Sequence, residues 1–555
     1  MAIKETKKVE LATSPNASSS DARGDSPIVS PTRSVIDDFD RAQAEENDSG
    51  GRDQWQRMGM QSVSARATQT IENMYDRYKA VVDDPDFFKV MWLSGTLFFV
   101  VGGYWLLRSL KDPIISVIDG VEAIPMAKIA SLVAVFVLVI IYNKMLDIMP
   151  KHQLFYAMGA IYGVLFTVMG LLLMHPTIGL SNTVADQSRW LGWVSYVTIE
   201  TFGSMVVQCY WALVNASVDV HFAKKNFGFI IAGAQIGSIL GPTVATYAGT
   251  LGIPFLYLCG AAIMFCMIAA MYYYIARYGG TEDDVIAESE GGVGELKAHK
   301  KEKKEGGMLE GFYLMYKHNF VQGIFFISSL FMVNVTVIDY MMKVLAMERY
   351  RAIYPEDPQA ALRAFASFMG YFGQTTNSIS FVFSLFGTGA VIKRWGLSTT
   401  LLAFPVLLGV CSTFVWISPT IWVVFSVMMI IKGMSYALNN PTKEILYQAT
   451  STSVKFKCKS WIDTFGQRSA KALGSLITNA CASDIVDLNN YGYAVGTVMS
   501  AALVWISKEM GAKFEELQEE GRKVGEEDDN DDDETPLRPV AASEKEASTR
   551  EEIAV

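Results

Sequence analysis

From residue 88 onward the chain alternates apolar runs with short polar connections, and each run is close to the roughly 20 residues that cross a bilayer core as a helix. The pattern predicts an all-α membrane protein with twelve transmembrane helices, at 88–111, 124–146, 153–175, 189–215, 227–249, 253–276, 320–346, 364–391, 398–417, 419–438, 461–483 and 489–507. The eighth span carries Gln374, Thr375, Thr376, Asn377 and Ser378 in succession, so it is expected to face protein or water and not lipid.

Charge in the connections sets the orientation. Loops after even-numbered spans carry Lys144 and Lys151, Lys224 and Lys225, Arg277, Lys393 and Arg394, and Lys443 with Lys455, Lys457 and Lys459. By the positive-inside rule both termini are expected on the cytoplasmic side. The longest connection, 277–319, separates a six-helix bundle over 85–276 from a second over 320–507. Polar segments at 1–84 and 508–555 flank them and read as disordered tails. The halves echo each other weakly: Gly233 to Gly241 and Gly466 to Gly474 share outer glycines and a leucine, each after a lysine-bearing loop. Two such repeats with a site between them describe a major-facilitator-like architecture.

Composition narrows the class further. Hydrophobic residues make up 51% of the chain and charged residues only 19%, against about a quarter in a soluble domain. The net charge of -10 is concentrated in the C-terminal run Glu526 to Glu534. The 1–84 segment has no basic start followed by an apolar core, so no cleaved secretory signal is expected. The six cysteines form no CxxC pair, and the five histidines fall in loops or near span ends without metal-ligand spacing. With no phosphate-cradling glycine loop and no Ser-His-Asp pattern, an enzyme is not expected, nor is any cofactor or metal.

Ionised side chains inside a bilayer cost roughly 2.5–3.5 kcal/mol each, so each needs a reason. Tyr104, Arg108 and Lys111 share one face of the first span, although Arg108 and Lys111 also fit the end of a span reaching for headgroups. Glu200 heads a stripe in the fourth span with Ser204, Gln208, Trp211 and Asn215. Asp339 and Lys343 lie one turn apart in the seventh span, close enough to neutralise each other. The eleventh holds Asp463, Gln467, Arg468 and Lys471. A shared polyionic cavity accounts for all four helices together.

These residues carry a family resemblance over roughly 85–480. Arg108-Ser-Leu-Lys111-Asp112, Glu200-Thr-Phe-Gly203-Ser204, Asn440-Pro441-Thr-Lys443-Glu444 and Lys455-Phe-Lys457-Cys-Lys459 through Asp463 and Lys471 resemble motifs of the ATP/ADP antiporters of plastids, obligate intracellular bacteria and microsporidia. The resemblance places Lys111, Glu200, Asp339 and Lys471 at the four charged positions that family needs for transport. Asp339 stands where the family usually has Glu.

The resemblance implies exchange of nucleoside tri- and diphosphates by alternating access. Lys111 and Lys471 would hold phosphates with Arg108 and Arg468 assisting, Glu200 and Asp339 would steady those cations, and Tyr104 or Trp211 would meet base or ribose. ATP, ADP and other purine nucleotides or deoxynucleotides are the expected partners, in a monomer surrounded by lipid that binds no nucleic acid. Proton-coupled carriage of another phosphorylated or organic anion is the alternative on the same architecture. A non-transporting scaffold would need no matched charges in both halves. An endoplasmic-reticulum-type or plastid membrane is the expected location.

Overall fold

The computed structural model describes residues 86–186, 188–218, 220–278, 308–481 and 485–526. The expected tail at 1–84, most of the 277–319 connection and the segment from 527 onward lie outside the described residues.

A chain in lipid has to pair its own backbone, which a helix does within one segment. The first half consists of α1 (Phe87–Ile118), α2 (Ala123–Ile148), α3 (Lys151–Leu172), α4 (Leu191–Ser217), α5 (Val220–Ala245) and α6 (Ile253–Tyr278). After α7 (Met308–Lys317), the helices α8 (Asn319–Ser329) and α9 (Phe331–Ile353) follow each other as one span. Then come α10 (Pro358–Phe386), α11 (Thr388–Ile417), α12 (Ile421–Met434), α13 (Asn440–Leu446), α14 (Thr452–Trp461), α15 (Gln467–Ala480) and α16 (Ile485–Glu520). Among the described residues nine helices are long and apolar enough to cross a membrane. The more polar α10, α15 and α16 complete the twelve positions. Both ends of the described chain, near Phe87 and Glu520, lie at one face, here the terminal face; Asp119, Ile353 and Ile417 mark the opposite, distal face.

Several boundaries differ from those read in the sequence. α1 continues to Ile118, so Lys111 lies about 10 Å short of its end at 1.5 Å per residue. α16 runs without a break to Glu520, which turns the first part of the expected acidic tail into helix. α7 makes the end of the long connection helical. The chain after α16 returns to the loop between α13 and α14, where Val524 accepts from the Ser451 amide and donates to the Ala449 carbonyl, both at 2.9 Å.

Small residues set the closest helix approaches. A Cβ at Gly241 on α5 would lie 2.3 Å from the Gly102 carbonyl of α1, and one at Gly237 2.6 Å from that of Phe98. In the second half a Cβ at Gly474 on α15 would lie 2.8 Å from the Val333 carbonyl of α9. The glycine echo in the sequence therefore has a common cause: in each half the fifth span packs backbone to backbone on the first.

The halves meet through α10 against α5 and α1, and through α15 against α2. Toward the distal face Gln359 donates to the Leu180 carbonyl, the Gly249 amide donates to Ser367 at 3.3 Å, and Gly370 sits against Thr246 without room for a side chain.

Candidate functional site: an ion-lined cavity between the halves

Helical spacing puts charges on the inner faces of six spans. On α1 Arg108, Lys111 and Asp112 stand at i, i+3 and i+4; on α9 Asp339 and Lys343 at i and i+4; on α15 Arg468 and Lys471 at i and i+3. Lys128 of α2, Glu200 of α4 and Lys432 of α12 join them around one cavity, which encloses about 1240 Å³ of empty space, part of it open solvent. Two π-helical turns interrupt the second half here, Ser435–Asn439 after α12 and Ile462–Gly466 before α15. Such wide turns re-aim the side chains around them: Ser435 and Tyr436 line the cavity from the first, and Gln467 and Arg468 follow the second.

The ions are arranged as a connected network. Glu200 accepts Lys111 at 3.0 Å and Arg108 at 3.4 Å. The Lys111 ammonium also stands 3.7 Å above the Tyr196 ring. Asp112 lies 3.6 Å from Lys111 and 3.0 Å from Lys343. Three lysines converge on Asp339: Lys343 at 2.6 Å, Lys432 at 2.8 Å and Lys128 at 3.1 Å. Lys111, Asp112, Asp339 and Lys343 are all buried. Arg468 donates to the Ser204 hydroxyl across the boundary between the halves. Among the described residues neither Arg468 nor Lys471 has a carboxylate within ion-pair distance.

Six of the residues singled out in the sequence, Arg108, Lys111, Glu200, Asp339, Arg468 and Lys471, therefore line one cavity. The ambiguity over Arg108 and Lys111 resolves with the length of α1: both sit inside the helix, and Lys111 is 4% exposed, so neither reaches for headgroups. Lys343 does pair with Asp339 within α9, yet it also reaches Asp112 in the other half. Tyr104 is not among the lining residues; its hydroxyl accepts from the Arg108 guanidinium at 2.5 Å. Trp211 and Asn215 do not line the cavity. Trp211 lies eleven residues beyond Glu200 on α4, about 16 Å along the helix, edge-on to Phe227 at 5.3 Å, and Asn215 is exposed. Asp463 belongs to another pair, 2.8 Å from Lys443.

Sequence reading passed over Lys128 and Lys432. Lys128 lies near the start of its span and looks like an edge residue. Lys432 lies well inside the tenth span and carried the same signal as Glu200, the span's counterpart in the first half.

Two six-helix halves around an ion-lined cavity give the chain a major-facilitator-like fold. A crystal structure of a bacterial homologue of the iron transporter ferroportin in an inward-facing state shares this fold, with a TM-score of 0.52 at 11% identity, covering 77% of this chain and 100% of that one. The family model described as TLC ATP/ADP transporter matches residues 69–514, and the chain belongs to that family. It is 25% identical over 467 residues to ADP,ATP carrier protein 1 of Chlamydia muridarum, covering 74% of this chain and 85% of the relative. It is 22% identical over 507 residues to the chloroplastic ADP,ATP carrier protein 1 of Arabidopsis thaliana, covering 80% and 77%.

Proposed function

We propose that this integral membrane protein exchanges adenine nucleotides, ATP against ADP, by alternating access, with phosphates held between the halves. The observation that carries this reading is the shared cavity: seven cations and three carboxylates line it, contributed by both halves. A polyphosphate is the biological anion that many cations suit, and lysine and arginine bind its oxygens with charge-assisted hydrogen bonds.

Roles follow from the pairing. Lys471 and Arg468, without carboxylate partners among the described residues, are the first phosphate ligands. Lys111 and Arg108 join them from the first half while Glu200 holds them in place. Asp339 gathers three lysines that would otherwise repel one another. The contacts at the distal face support an inward-facing arrangement entered from the terminal face, which is the cytoplasmic side on the charge of the loops. Plastid or endoplasmic-reticulum-type membranes fit this orientation.

Exchange follows from desolvation. Moving the empty cavity through an occluded state strips water from uncompensated cations, at several kcal/mol per ion. Bound nucleotide removes that penalty, so reorientation is fast only when loaded. Vesicles preloaded with unlabelled ADP are expected to take up labelled ATP far faster than empty vesicles; equal rates would eliminate exchange and favour proton-coupled uptake.

A further inference from the structure

The balance of charge in the cavity says more than that its cargo is an anion. The lining carries a formal excess of four positive charges over its carboxylates. Each carboxylate is already engaged: Glu200 by Lys111 at 3.0 Å, Asp112 by Lys343 at 3.0 Å, and Asp339 by Lys343 at 2.6 Å. None is left over to share a divalent cation. The unmatched charge is on the second-half cations Lys471 and Arg468.

A nucleoside triphosphate without metal carries about four negative charges. In magnesium-containing solution most of it carries one Mg²⁺ on the phosphates, which cancels about half of that charge and keeps several waters on the ion. Bringing the complex into this cavity would place a hydrated dication among seven protein cations. It would also leave about two positive charges without a partner where water is scarce. The free triphosphate has neither defect and its charge closes the balance, and the free diphosphate, with about one charge fewer, still brings no cation into the cavity.

We propose that the transported species is the metal-free nucleoside polyphosphate, and that the magnesium complex is excluded from the cavity and gives up its ion before entry. The proposal rests on the nucleotide reading above and deepens it.

The test uses the full chain reconstituted in vesicles preloaded with ADP. Labelled ATP is supplied below saturation at fixed total concentration while Mg²⁺ is titrated and free ATP is set by a chelator. The initial rate is expected to follow free ATP, so a magnesium addition that removes about nine-tenths of it lowers the rate about tenfold. Labelled ADP binds the ion less tightly and should lose less of its rate at the same Mg²⁺. A rate that stays flat or rises with Mg²⁺ overturns the proposal. Equal losses for ATP and ADP overturn it too, since the ion would then be acting on the protein. No nucleotide uptake with or without Mg²⁺ would instead remove the nucleotide reading, and this proposal with it.

Discussion

Lys343 of α9 stands 3.0 Å from Asp112 of α1, so an ion pair joins the second half of the molecule to the first. Lys128 of α2 and Asp339 of α9, 3.1 Å apart, join the halves in the opposite sense. Because both pairs are largely buried, the two members should be thermodynamically coupled. Lys343→Gln and Asp112→Asn are each expected to lower the stability of the solubilised empty carrier by about 2 kcal/mol. The double variant should lose less than the two single losses combined. Melting curves of the four proteins measure this, and strictly additive losses would argue that the pair holds nothing together.

Removing Lys471 and removing Lys111 should separate binding from folding. Lys471 has no carboxylate to leave behind, so Lys471→Gln is expected to cut nucleotide uptake about ten- to a hundredfold, the worth of one charged hydrogen bond, with an unchanged melting temperature. Lys111→Gln leaves Glu200 with Arg108, at 3.4 Å, as its remaining ion pair among the described residues. It should lose uptake and melt lower as well. Uptake assays run beside melting curves check both; normal uptake in Lys471→Gln would remove it from the phosphate site.

How much of this was legible in the sequence depended on which physical signal each residue gave. The twelve spans and the inward charges Glu200, Asp339 and Lys471 were readable because charge deep in an apolar run has no bland explanation. Lys128 was not readable, because a lysine near a span's start is usually an edge residue, and only the packing of α2 on α15 turns it inward. Trp211 and Asn215 shared a helical stripe with Glu200, but helical spacing fixes a face and not a depth. The extension of α1 past Asp112 was hidden by Pro113, which reads as a helix end and is in fact accommodated within the helix.

The closest helix approach gives a packing prediction. A Cβ at Gly241 would meet the Gly102 backbone, which cannot move aside as a side chain would, while a Cβ at Gly228 on the same helix meets nothing within 4 Å. Gly241→Ala is expected to destabilise the carrier by about 1–3 kcal/mol. Gly228→Ala should be neutral or gain up to about 1 kcal/mol from helix propensity. The fraction remaining monodisperse after heating distinguishes them.

Asp119 supplies a pH dependence outside the spans. It caps α1 at the distal face and is 3% exposed. Burial pushes its carboxyl up to about 7, with Arg189 pulling the other way. The folded value thus lies above the ordinary range near 4, and the fold holds the proton more tightly than the unfolded chain does. Stability should fall as pH rises from about 4 to about 7 and level off above, a loss of a few kcal/mol at most. Asp119→Asn should melt higher than the parent at pH 8 and alike at pH 4; a melting difference that does not change with pH would exclude this titration.

The short pairing at Val524 ties the chain beyond α16 to the loop that feeds α14 and, through it, the π turn before Arg468. A tag or fusion joined directly after residue 526 would therefore pull on the segment that aims the cavity's unpaired cations. A truncation ending before Val524 would delete both hydrogen bonds and free that loop. Handles for purification belong on a flexible spacer well past the bridge, and assays on shortened chains report on a loosened wall as much as on a missing tail.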